Sequence, residues 1–108
     1  MRVLRGTEPI HPVYVRLTSL IEELGDDVTV EQSETSVQFS RGRRFAVLEP
    51  ATPTRLDLAL VLPSAAETPR LRPADEPGLT HRLSLAHEDE IDAELTGWLR
   101  DAYAGAAT

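Results

Sequence analysis

Residues 36–48, Ser-Val-Gln-Phe-Ser-Arg-Gly-Arg-Arg-Phe-Ala-Val-Leu, constrain the fold more than any other stretch of this chain. Two alternating segments meet at Arg41-Gly42-Arg43, and a side-chain period of two marks strands with one buried face. Pairing Phe39 with Phe45 puts both rings in the core and leaves Arg41, Gly42 and Arg43 as a three-residue loop. A two-residue loop would set Phe39 opposite Arg44 and would need a bulge to keep the core intact.

The neighbouring segments are read from the same alternation. Directly opposed residues of an antiparallel pair share a face. Val30 opposite Val37 and Val28 opposite Phe39 keep four apolar side chains inside and make Ser33-Glu34 the turn. A turn over residues 50–53, bounded by Pro50 and Pro53, sets Val47 opposite Leu56 and Phe45 opposite Leu58. Prolines there are expected to stop the strands, because proline cannot donate to a ladder. Residues 56–62 are nearly continuous in apolar character and predict a central strand. The stretch 63–78, rich in proline and charge, is expected to be an exposed loop. Residues 79–85 predict a fifth strand with Leu83 and Leu85 inward.

Two amphipathic helices flank these strands. Over residues 12–24, Val13, Leu17, Leu20, Ile21 and Leu24 recur at helical spacing. Pro12 suits the first turn, where its missing N–H costs nothing, and Gly25 is placed for a left-handed cap. A second helix is expected to start near His87. Glu88, Asp89 and Glu90 suit its positive end, and Ile91, Leu95, Trp98, Leu99 and Ala102 form its buried stripe. The predicted fold is therefore α+β: a two-layer sandwich of helix, five-stranded antiparallel meander and helix, with both helices on one sheet face. Residues 12–104 are expected to be one domain, 1–11 a flexible amino-terminal segment, and 105–108 a frayed tail.

Composition narrows the function classes. A chain of 108 residues with 41% apolar side chains can sustain one core without staples. It has no cysteine, hence no disulfide, thiol nucleophile or cysteine-bound zinc. A cytoplasmic location fits. No stretch is expected to act as a signal peptide or a membrane helix. The formal net charge of -7 argues against nucleic acid as a general partner. All eleven basic side chains are arginine.

On these registers the sheet face away from the helices carries Gln38, Arg44, Ala46, Leu48, Arg55, Asp57, Ala59, Val61 and Arg82. Ala46, Leu48, Ala59 and Val61 form an apolar centre with arginines around it, a pattern of protein interfaces. This face is the candidate binding surface, for a second copy of the chain or for another protein. Arg41, Arg43 and Arg44 form a lesser candidate, an anion contact at the hairpin tip. No Walker-type or Rossmann-type glycine pattern accompanies them. A solvated hairpin tip is their simpler role.

Other clusters read structurally. His87 and Glu90 share a helix face, but His81 stands six residues from His87 across a strand-to-helix junction, a spacing that matches no common metal site. Glu22, Glu23, Asp26 and Asp27 form an acidic corner after the first helix. The outline resembles frataxin-type iron chaperones, whose acidic helix binds iron; here the acids are few and sit at the helix end, as a solvated corner would. His81 shares the phase of Leu83 and Leu85, as a hydrogen-bonded histidine would. No serine lies in a nucleophile elbow. No catalytic residue, metal ligand or cofactor is assigned.

Several motifs carry a family resemblance. Leu24-Gly25-Asp26-Asp27-Val28, Arg41-Gly42-Arg43-Arg44-Phe45-Ala46, Thr80-His81-Arg82-Leu83 and the stretch 90–103, Glu-Ile-Asp-Ala-Glu-Leu-Thr-Gly-Trp-Leu-Arg-Asp-Ala-Tyr, follow one another at spacings that resemble the bacterial domain of unknown function 5655. The resemblance covers about residues 12–103. It implies no activity, cofactor or catalytic residue. The basic position that the family carries before its glycine turn is matched by Arg41. Relatives occur alone or fused behind other domains, including nuclease-like ones, which implies an accessory binding role. The expected function is thus a non-enzymatic binding module using the open sheet face. The alternative is a nucleotide- or nucleic-acid-associated accessory using Arg41, Arg43 and Arg44.

Overall fold

The computed structural model describes residues 11–52, 55–62, 70–74 and 78–106. In chain order these form α1 (His11–Glu22), β1 (Thr29–Gln32), β2 (Val37–Arg41), β3 (Arg43–Thr52), β4 (Arg55–Leu60), β5 (Arg72–Pro73), β6 (His81–Leu85), a 3-10 turn (Glu88–Glu90) and α2 (Ala93–Ala106). All strand pairs are antiparallel and the sheet order is β1-β2-β3-β4-β6-β5. Five strands follow the expected meander. The sixth, β5, comes from the stretch expected to be loop and adds a short edge to β6.

Most of both helical stripes folds as the spacing predicts, although Leu24 lies beyond the end of α1, Ile91 lies before α2, and these two and Leu20 are only half-buried against the core. Val13, Leu17 and Ile21 of α1 and Leu95, Trp98, Leu99 and Ala102 of α2 are buried. They share one core with Phe39, Leu56, Leu58, Leu60, Leu83 and Leu85. Each of the valine, leucine, isoleucine and phenylalanine side chains contributes roughly 1.5–3 kcal/mol when fully buried. The core face of β4 reads directly from its alternation: Leu56, Leu58 and Leu60 are fully buried, while Arg55 is exposed and Asp57 and Ala59 are half-buried.

The hairpin forms where expected, but its register differs. Arg41 pairs with Arg43 across Gly42, which adopts φ +78, a left-handed conformation that glycine takes without strain. Ser40 then pairs with Arg44, and Phe39 with Ala46, so Phe45 is the additional residue of a β-bulge. Phe39, Phe45 and Ala46 are all fully buried. From the bulge onward the side chains of β3 change face. Ala46 and Leu48, expected on the open face, therefore lie in the core, and Val47 takes the open face instead.

Four further expectations are corrected. Val30 pairs with Phe39 and Gln32 with Val37, which lengthens the first turn to Ser33–Ser36. The Ser33 hydroxyl accepts the Ser36 N–H at 3.1 Å and organises that turn. β3 runs through Pro50, which pairs with Leu56 next to a second irregularity. The β2 ladder has ended at Leu48, so Pro50 has a strand on one side only, a position that tolerates its missing N–H. The expected tip of that hairpin, Pro53, lies outside the described residues, as do 1–10, 63–69, 75–77 and 107–108.

The other two corrections concern helix ends. Among the described residues only Gly42 and Gly78 have positive φ, so Gly25 is not a left-handed cap. The last helix starts at Ala93 rather than near His87, because Asp92 caps it: its carboxylate accepts the Leu95 N–H at 3.0 Å. The acids 88–90 form the separate 3-10 turn, where Glu90 accepts the N–H groups of Ala86 and His87. At its other end α2 continues through Ala106, which is buried.

Candidate binding site on the open sheet face

The corrected registers place one row of side chains across the face opposite the core. Gln38 pairs with Val47, Val47 with Ala59, Ala59 with Arg82, and Arg82 with Arg72. Along this row the face passes from polar to apolar to cationic. A second row holds Glu49, Asp57 and Ser84. The Ser84 hydroxyl donates to Asp57 at 2.8 Å, and Arg55 stands 3.4 Å from the same carboxylate oxygen.

Two adjoining hollows follow these rows. The first, about 210 Å³, has Val47, Ala59 and Leu79 among its walls, with Glu49 on its acidic side. The second, about 380 Å³, is walled by four arginines, Arg55, Arg70, Arg72 and Arg82. The two share Asp57 and Arg82. The segment before β6 forms one rim: Ala74 donates its N–H to Thr80, Thr80 donates its own to Leu60, and Leu79 is thereby held over the sheet, buried. Leu79, Ala74, Arg70 and Arg72 all come from, or border, the stretch expected to be exposed loop.

The structure sorts the residues expected at this face. Gln38, Asp57, Ala59 and Arg82 sit on it, with Arg55 at its margin. Ala46 and Leu48 do not. Val61 is half-buried and donates its N–H to the Phe45 carbonyl at 3.0 Å. Arg44 walls neither hollow; its guanidinium lies beside Gly78, next to the rim residue Leu79. Val47, Glu49, Leu79, Arg70 and Arg72 were missed. Arg72 pairs with Arg82 on an edge strand that hydropathy alone does not mark.

Arg41 and Arg44 are held in different places. Arg41 turns back, donating from Nε to Asp27 at 2.7 Å and from Nη1 to the Tyr103 carbonyl at 3.3 Å, with its guanidinium 4.0 Å above the Tyr103 ring. The Tyr103 hydroxyl donates to the other Asp27 oxygen at 2.5 Å, and its ring meets Phe45 edge-on. Gly25 lies so close that a Cβ there would overlap the tyrosine ring end. Asp27, read as part of a solvated corner, is thus the centre of a clasp joining three distant segments. The Tyr103 hydrogen bond, then Arg41, hold its carboxyl below the usual aspartate value, and the same bond pushes the Tyr103 phenol up. Arg43 and Arg44 each make interactions of their own.

A second clasp holds Arg70. Its Nη1 donates to Asp92 at 3.0 Å and to Glu94 at 2.9 Å, its Nη2 to the Glu90 carbonyl at 2.9 Å, and its guanidinium lies 5.3 Å from the Trp98 ring centre. Burial works against the Arg70 charge, and the two carboxylates outweigh it, holding its pKa above the ordinary arginine value. The Leu95 N–H, then Arg70, hold the Asp92 carboxyl below its usual value. Among the described residues no three histidine, aspartate or glutamate side chains gather as a metal site. The His81 ring lies 2.8 Å from the Thr80 hydroxyl, and Glu90 is engaged in capping. No helix among them is long and apolar enough to cross a membrane.

These observations define a small α+β domain with one antiparallel sheet, helices packed into its core and a grooved opposite face. The chain belongs to the family described as domain of unknown function 5655, whose model matches residues 2–105. No curated protein and no solved structure matches it.

Proposed function

We propose that this chain is a non-enzymatic binding module, and that its open sheet face receives a protein surface. The observation that supports this is the row through Val47, Ala59 and Arg82, which sets an apolar hollow beside a cationic one that reaches the sheet edge, where Arg70 meets the start of α2. A small apolar centre with arginine at its margin is the composition of an interface core and rim. Residues 12–104 act as one bacterial, cytoplasmic domain, in keeping with a chain that uses no cysteine. The hairpin alternative, nucleotide or nucleic acid at Arg41, Arg43 and Arg44, has less support, because Arg41 is engaged by Asp27 and Tyr103.

Ala59→Glu tests the reading. Ala59 is half-buried at the centre of the face, outside the core, so the variant should keep its melting temperature within a few degrees while losing partners in pull-downs and any self-association in sedimentation equilibrium. Retention of the same partners by the folded variant would overturn it.

A further inference from the structure

Resting on that reading, we infer that the occupant of the open face is an extended acidic segment of a partner polypeptide, seated with an apolar side chain in the hollow at Val47 and Ala59 and with carboxylates against Arg82 and Arg72. Charge complementarity carries the inference. The chain has a formal net charge of -7, yet four of its eleven arginines wall one hollow. Asp57 is the carboxylate among that wall; it accepts from Ser84 and pairs with Arg55, so the acids of a ligand are assigned to Arg82 and Arg72 rather than to all four arginines. Arg70 is fixed by Asp92 and Glu94 and serves as a preorganised side of the hollow rather than as a mobile cation. Arg72 is exposed on the edge strand, where a ligand reaches it without disturbing the core.

The direction of the row gives the segment its polarity. Glu49 and Asp57 lie beside the apolar hollow and repel acids there, so the carboxylates belong at the β6 and β5 end. Distance selects a polypeptide over a small anion. From Val47 on β3 to Arg72 on β5 there are three strand spacings, about 14 Å in all at roughly 4.8 Å each. That span matches about four residues of extended chain at roughly 3.3 Å each. An extended segment presents every second side chain to the sheet, so the fitting pattern is an apolar residue followed by acids two and four positions along. A lone phosphate would occupy only the cationic end.

The test uses fluorescence anisotropy with the labelled peptide Leu-Ser-Glu-Ser-Glu, its lysine counterpart Leu-Ser-Lys-Ser-Lys, and inorganic phosphate as competitor. The full chain should bind the acidic peptide, ignore the lysine one, and keep its peptide in millimolar phosphate. Reversing an exposed charge at the contact, Arg72→Glu, should weaken binding about tenfold, since removing an attraction and adding a like-charge repulsion act together. Arg72 is exposed, so this variant should fold; Arg55→Glu is the second reporter, at a side chain half exposed to solvent. Unchanged affinity in both charge reversals overturns the acidic-segment inference, while loss of binding in Ala59→Glu would still uphold the face. Equal binding of the lysine peptide overturns it, as does displacement by phosphate, which would make the ligand a small oxyanion. Self-association abolished by Ala59→Glu, without peptide binding, overturns it in favour of a second copy of the chain.

Discussion

The two ends of α2 are held by two arginines in different ways. At its carboxy end, Arg41 stacks on Tyr103 and shares Asp27 with the tyrosine hydroxyl. At its amino end, Arg70 stacks on Trp98 and pairs with Asp92 and Glu94. The chemistry is alike, but the connectivity is not. The first clasp joins the turn after α1, the β2–β3 hairpin and the last helix. The second joins one incoming segment to residues 90–98 of a single helix start. Closing long loops is entropically expensive, so the first clasp reports on global closure and the second on local docking. Asp92 would still cap α2 without Arg70, through Leu95; Asp27 has no comparable duty if Tyr103 and Arg41 are lost.

The sharpest way to break the comparison is Gly25→Ala. The new Cβ would overlap the Tyr103 ring end, and overpacking of this kind costs about 1–3 kcal/mol. Gly97→Ala, inside α2 between the clasps, meets nothing within 4 Å and should instead stabilise by about 0.5–1 kcal/mol. Urea denaturation of the pair should give opposite signs. Tyr103→Phe comes next. It removes the Asp27 hydrogen bond while keeping the ring under Arg41, and should lower the melting temperature more than Arg70→Ala does. Arg70→Ala should cost less than about 1 kcal/mol, since its carboxylate partners are half exposed and such pairs are screened.

The smallest effect is in acid. Asp27 and Asp92 both have carboxyls held below the usual value. For a depressed carboxyl the stabilisation is present above the unfolded value, about 3.9, and is lost as pH falls through the folded one. Tyr103→Phe removes the leading cause at Asp27, so its urea midpoint should fall less between pH 5 and about 2 than the parent's. Arg70→Ala leaves the leading cause at Asp92, the Leu95 N–H, and should keep most of the parent's acid sensitivity. Equal flattening in both variants would erase the distinction between the clasps.

The helices and β4 were legible because their apolar residues are separated by polar ones, which fixes a phase. Val13, Leu17 and Ile21 can lie on only one helix face, and Leu56, Leu58 and Leu60 on only one strand face. The run Phe45-Ala46-Val47-Leu48 carries no such information: all four are apolar, and either phase buries two of them. The bulge at Phe45 decides: Phe45, Ala46 and Leu48 join the core cluster, while Val47, buried as well, lines the hollow on the other face. That is why the open face was placed correctly on β4 and β6 and incorrectly on β3. The arginine hollow escaped for a different reason. β5 is two residues long and contains Pro73, so its pairing with β6 rests on backbone geometry that no side-chain period records. Gly25 was read as a helix stop, whereas its constraint comes from a tyrosine 78 positions later.

The bulge at Phe45 also bears on how such a domain diverges. Inserting or deleting one residue between Gly42 and Val47 should change which side chains β3 turns to the open face and which to the core, because the side-chain period of a strand is two. A single codon there is therefore an economical route by which a lineage changes the make-up of its open sheet face. Point substitutions on β4 or β6 change that face one side chain at a time.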